Sequence, residues 1–187
     1  MKSELEAKLI KKYPKFFEYL KVHKGGLIMP MQFGFEFGDG WYVLVDSLMD
    51  CIHSYIESLE RHPHTQIKSK FWRIVLPKIK NWLKYKKGTS KFLCRFEKSL
   101  KKESIPAPKI QLLQAKEKFG GLRFYTSGGD EYINGMIRIS ENMSYKICEF
   151  CGTTKDVGST QGWIVTICKE CFDKGKTNLK TWKPNEE

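Results

Sequence analysis

The chain has 187 residues, 41% of them hydrophobic and 13% aromatic, with its 15 Gly and 7 Pro in short punctuating clusters. That is enough for one packed domain, or one with a small satellite, and it argues against disordered, collagen-like or mucin-like classes. The formal net charge is +12, and residues 66–109 account for all of it, with 14 Lys and Arg against two acids, Glu97 and Glu103; elsewhere the two signs balance.

In chain order, Leu5, Leu9, Ile10, Phe16, Phe17 and Leu20 form an apolar stripe interrupted by Pro14, which predicts a broken helix over 3–20 that stops before Gly25 and Gly26. Phe33, Phe35 and Phe37 alternate with Gln32, Gly34, Glu36 and Gly38, the period of a half-buried strand. Asp39 is placed to cap the next helix, in which Trp41, Leu44, Val45, Leu48, Ile52, Tyr55, Ile56 and Leu59 share one face as far as about Glu60. The longest apolar run, residues 41–45, is five residues, against roughly 20 for a membrane span. The start, MKSELEAKLIKK, lacks a signal-peptide apolar core. The expectation is a cytoplasmic protein with no membrane span.

The basic block follows. KFWRIVLPKIKNWLKY predicts a helix kinked or divided at Pro77, with Phe71, Ile74, Val75, Ile79, Trp82 and Leu83 on one side, and a shorter helix starts at Lys91. Lys78, Lys80, Lys84, Lys86, Lys87, Lys91 and Arg95 supply the opposite, cationic side. Such a surface favours polyanions such as nucleic acid, nucleotide phosphates, an acidic protein or an anionic membrane surface; the alternative is a solvated face that binds nothing in particular. Cys51 and Cys94, amid apolar neighbours, read as small buried hydrophobes. Trp41, Trp72, Trp82 and Trp163 read as core anchors.

After a linker at IPAPK, residues 110–125 predict two strands joined by a turn at residues 118–121, and a Gly-Gly turn then delivers Asp130 as the cap of a helix over about 131–143. Ile133, Met136, Ile137 and Ser140 form its inner face. Lys116, Lys118 and Arg123 surround the turn, with Phe119, Phe124 and Tyr125 beside them. That mixture suits a single strand or a nucleotide if the rings are exposed, and an ordinary core if Phe119, Leu122 and Phe124 are buried.

Cys148, Cys151, Cys168 and Cys171 form C-x2-C-x16-C-x2-C. Two residues between cysteines let one turn aim both thiolates at one ion, and two such turns complete a tetrahedron, so the spacing predicts a closed, structural Zn2+ site. Two disulfides or a redox C-x-x-C pair are the competing readings; without a signal sequence a reducing compartment is the default, and a redox pair needs one C-x-x-C, not two that close on each other. A knuckle, a returning strand and a helical turn carrying the second pair suggest a treble-clef-like or ribbon-like finger over 145–176, with 177–187 a tail in which Trp182 docks.

Three segments, GFEFGDGWYVLVDSL, KEKFGGLRFYTSGGD and SYKICEFCG with GWIVTIC, together resemble an uncharacterised family of small proteins encoded by bacteriophages and prophages. The resemblance spans about residues 28–60 and 110–171. It implies a bacterial host cytoplasm and transfers no chemistry. The chain departs from the family pattern in the long stretch before KEKFGG, and in Cys171 where the family uses a His among the last ligands.

The fold expected is α+β, with amphipathic helices on a small antiparallel sheet over 1–144, the basic segment 66–109 inside it, and a four-cysteine zinc finger over 145–176. The function expected is non-enzymatic binding of nucleic acid or nucleotide phosphates by a phage-type accessory protein. One rival is an inhibitor of a bacterial defence system that sequesters a nucleotide signal or binds a host protein effector. The other is a nuclease or nucleotide hydrolase, for which Glu36, Asp39, His53, His62 and His64 are the available groups. A zinc-finger nuclease would thread a histidine through the finger, and none follows His64.

Overall fold

A computed structural model describes residues 1–18, 34–82 and 89–185, the side chains of 82 and 89–93 excepted. The protein is α+β. It divides into two compact units, Met1–Tyr55 with Pro108–Glu187, and Ile56–Ala107. The finger thus groups with the sheet domain, and the basic segment forms most of a unit of its own.

In the first unit α1 (Ser3–Lys12) stops where Pro14 opens a 3-10 turn, Pro14–Phe17. The proline lacks an N–H to continue the ladder. A three-stranded sheet of order β1-β4-β5 follows, from β1 (Phe35–Glu36), β4 (Ile110–Lys118) and β5 (Gly121–Gly128). Its β4-β5 hairpin is antiparallel, as expected, while β1 is shorter than the phenylalanine alternation predicts and runs parallel to β4. Phe33 lies outside the described residues. α2 (Tyr42–Arg61) begins in this unit, and α5 (Glu131–Ser144) is capped as predicted, Asp130 Oδ1 accepting the Ile133 N–H at 3.0 Å.

The core collects Leu9, Tyr13, Phe16, Trp41, Val45, Met49 and Ile52 with Leu122 and Ile133. Tyr13–Phe16, Phe17–Phe35 and Phe35–Phe37 meet edge to face at 5.7–6.4 Å between centroids, the arrangement aromatic quadrupoles favour. The series continues to Trp41, tilted 6.1 Å from Phe37 and fully buried.

The second unit holds α3 (Lys70–Trp82) and α4 (Thr89–Ser99) between β2 (Thr65–Ile67) and β3 (Lys102–Ser104), which pair antiparallel. This ribbon, absent from the sequence reading, pins both ends of the helical excursion, and Ile105 N–H to His64 O at 2.7 Å extends it. α3 runs through Pro77 as one helix. Its buried side is rotated from the predicted one. Leu76 is buried and Trp72 meets Phe96 edge-on at 4.9 Å, whereas Phe71 and Ile74 are exposed. Among the described residues no helix is long and apolar enough to cross a membrane.

Trp41→Ala removes the largest buried side chain and should lower the unfolding free energy by about 3–5 kcal/mol. Asp130→Ala, which removes one cap, should cost about 1 kcal/mol. Denaturant titration with an unchanged slope checks the order.

Candidate metal centre and basic surface

The four cysteines come together from two short elements. Residues 148–152 form a knuckle closed by Gly152 N–H to Cys148 O at 2.8 Å, with Gly152 at φ 78°. The second pair follows the antiparallel hairpin of β6 (Val157–Thr160) and β7 (Thr166–Cys168), at the junction with α6 (Lys169–Asp173). Cys168 caps that helix, its sulfur accepting the Cys171 N–H at 3.4 Å. All four sulfurs lie within 4.8 Å of one another, and Cys148, Cys168 and Cys171 are buried. The Cys151 to Cys168 distance, 3.7 Å, is too long for a disulfide and matches the edge of a tetrahedron with metal–sulfur bonds of about 2.3 Å. Four thiolates so placed can hold a metal ion.

Burial pushes the Cys168 and Cys171 thiols above their ordinary range. Burial also opposes ionisation of Cys148, but the backbone N–H groups of Cys168, Cys151 and Phe150 outweigh it and hold that thiol below its usual value. Val157, Ile167, Phe150 and Phe172 pack around the cluster. Trp182 docks as expected, in β8 (Trp182–Pro184) paired to β6, with Nε1–H donating to Ile167 O at 3.0 Å. Residues 182–184 are therefore ordered against the finger.

The Gly-Asp-Gly-Trp segment is the seat of the knuckle. Gly40 N–H donates to Glu149 O at 2.8 Å, Gly38 N–H to Glu149 Oε1 at 2.9 Å, and Trp41 Nε1–H to Ile147 O at 2.8 Å. A Cβ on Gly38 would stand 2.3 Å from Glu149 O, and one on Gly40 2.3 Å from Cys148 O. Only glycine permits that backbone approach. Burial raises the Glu149 carboxyl, and the Gly38 N–H offsets this only in part.

Asp39 is not the helix cap the sequence suggested. Its carboxylate accepts the Lys2 N–H at 2.7 Å and pairs with the Lys2 ammonium at 3.2 Å, which together hold its carboxyl below the usual range. The KEKFGGLRFY segment grips the finger from the other side. Thr166 Oγ1–H donates to Gly120 O at 2.5 Å, and the Arg123 guanidinium donates to Tyr145 Oη at 2.9 Å. Arg123, expected to meet phosphate, is thus engaged inside the protein. Of the two readings of the turn, Phe119 takes the exposed one, at 67%, while Leu122 and Phe124 are buried; Trp163, expected as a core anchor, is 73% exposed. Cys51 and Cys94, expected to be buried, are exposed.

In the second unit the two acids of the basic block are already occupied. Glu97 pairs with Lys80, and Glu103 accepts from Gln66 at 3.1 Å and faces Arg73 at 3.7 Å. Lys68, Lys70, Lys78, Arg95, Lys98, Lys101 and Lys102 are exposed with no carboxylate partner among the described residues. Lys84, Lys86, Lys87 and the Lys91 side chain lie outside the described residues. Of the hydrolytic candidates, Glu36 accepts from Gln114 at 2.9 Å and Asp39 is held by Lys2, both in the first unit, and His62 and His64 are exposed in the second. The four cysteines are the one metal-capable cluster of three or more ligands among the described residues. No family model, curated protein or solved structure matches the chain.

Gly40→Ala should drive the knuckle from its seat, lowering stability by about 1–3 kcal/mol and weakening metal retention. Gly135→Ala, in α5 with nothing within 4 Å of the added carbon, should be neutral or stabilising by up to about 1 kcal/mol. Urea titration of both variants, with metal content assayed alongside, tests the contrast.

Proposed function

We propose that this is a non-enzymatic accessory protein of the bacteriophage or prophage type, acting in a bacterial cytoplasm. Its second unit binds phosphate-bearing polyanions, nucleic acid ahead of others. Its four cysteines hold one structural Zn2+. The observation that carries the binding reading is the charge arrangement of the second unit: both acids of the block are consumed by internal partners, leaving exposed lysines and Arg95 along α3, α4 and the β2-β3 ribbon uncompensated. Each phosphate such a cation neutralises releases condensed counterions, so binding draws on the entropy of the freed salt.

Zinc is favoured by the all-sulfur donor set and the tetrahedral spacing. A closed four-sulfur site supplies folding free energy and leaves no position open for substrate. A second reading, an acidic host protein effector as target, is favoured by Phe71 and Ile74, which stand exposed on α3 among the lysines.

Metal analysis should return about one zinc per chain, and Cys148→Ser or Cys168→Ser should abolish it. Affinity for a nucleic-acid duplex should fall steeply with salt, with a log–log slope near −0.9 per phosphate contact, and charge reversal at Lys70, Lys78 and Lys98 should flatten that slope and weaken all sequences alike. Absence of binding at low salt, or binding indifferent to the reversals, would move a protein partner ahead.

A further inference from the structure

Two turns of the first unit carry aromatic rings that neither the core nor the backbone requires. Phe119 occupies the first position of the two-residue β4-β5 turn with φ 54°, followed by Gly120 at 75°. A turn with both central residues at positive φ favours Asn, Asp or Gly at that first position. A bulky residue there is strained, and this ring, 67% exposed, recovers little by burial.

Trp163, 73% exposed, stands on the turn between β6 and β7. That turn is fixed from below. Thr160, itself buried, donates its hydroxyl to Trp163 O at 2.7 Å and accepts the Val165 N–H at 2.9 Å.

The two turns abut. Thr166 Oγ1–H bonds Gly120 O, and a Cβ on Gly120 would lie 2.8 Å from Ile164 Cγ2. The exposed rings thus belong to the residues next to one contact, Phe119 before Gly120 and Trp163 before Ile164. Cations interleave with the rings here: Lys118 Nζ lies 5.4 Å from the Phe119 ring centroid, and Lys116 Nζ 5.9 Å from that of Tyr125, which is also exposed. Ammonium groups over solvent-facing rings suit a ligand that offers flat π faces and negative charge together.

The geometry points to a base-stacking site: Phe119 and Trp163 stack unpaired bases of a single-stranded nucleic acid, and Lys116 and Lys118 meet its phosphates. The site rests on the polyanion reading for the nature of the ligand, and adds a requirement that reading lacks, that the bases be unpaired and their faces free.

The full chain is titrated with a single-stranded oligothymidylate of about a dozen nucleotides, with the same strand annealed to its complement, and with inorganic polyphosphate, which has charge without bases. Phe119→Asn with Trp163→Ala should weaken the single strand by about tenfold per ring and leave polyphosphate unchanged. Phe119→Asn alone, which puts a favoured residue at positive φ, should hold or raise the thermal midpoint while single-strand affinity falls; a purely structural ring would lower the midpoint instead. Wild-type affinity of the double variant for the single strand overturns the stacking site and leaves the second unit's role standing, as does an equal loss on polyphosphate. Single-strand binding that survives reversal of Lys70, Lys78 and Lys98 but falls in the double variant overturns the second unit's role and supports the site. No binding of any probe overturns both.

Discussion

Backbone pressed against backbone at the cysteine knuckle is the contact on which the first unit depends. Residues 147–149 present three groups to the turn before α2: the Ile147 carbonyl to the Trp41 indole, and the Glu149 carbonyl and carboxylate to the Gly40 and Gly38 amides. Thr166 joins this contact to the hairpin, since its carbonyl accepts the Glu149 N–H at 3.0 Å while its hydroxyl bonds Gly120. The start of α2, the knuckle, β7 and the β4-β5 turn are therefore tied through a few short, partly buried hydrogen bonds, each costly to leave unmade. Four thiols gathered without an ion would set like charges side by side on ionisation; a bound cation removes that conflict and makes the knuckle a rigid counterpart for the turn.

This arrangement accounts for two word-like segments of the sequence. In Gly-Asp-Gly-Trp the glycines clear space for carbonyl oxygens, the tryptophan fills the core and donates its indole N–H to Ile147 O, and the aspartate fastens the start of α1 through Lys2. In Phe-Gly-Gly-Leu-Arg, Gly121 makes room for the Tyr145 ring, which a Cβ would approach to 2.3 Å, and Arg123 then bonds the Tyr145 hydroxyl. Gly38, Gly40, Trp41, Gly121 and Arg123 hold the finger and are structural parts of one unit, while Lys118 and Phe119 stand exposed at the turn of the second segment.

Where a residue's role follows from local periodicity, the sequence was legible: the face of α2, the β4-β5 hairpin, the Asp130 cap and the convergence of four cysteines all rest on spacing within a few tens of residues. What escaped depends on distant partners. Asp39 has the position of a cap, yet Lys2, just before α1, takes its carboxylate. The β2-β3 ribbon pairs Thr-Gln-Ile with Lys-Glu-Ser, three-residue strands too short and polar to signal themselves. Trp163 and Phe119 look like core by composition, yet both sit on turns between paired strands with their rings exposed. A proline at 77 inside an otherwise helical face predicts a kink or a division, and the helix is not divided: α3 runs on past it despite the lost ladder bond.

If the four cysteines hold Zn2+ as proposed, the ion fixes the knuckle, and the knuckle organises the whole first unit and not the finger alone. Amide hydrogen exchange on the full chain, compared between zinc-loaded protein and protein stripped by a chelator, tests it most directly. The account predicts that stripping deprotects Gly40, Leu122 and the α5 amides together with those of residues 145–176. Loss of protection confined to residues 145–176, with Gly40 and Leu122 as slow to exchange as before, would contradict it.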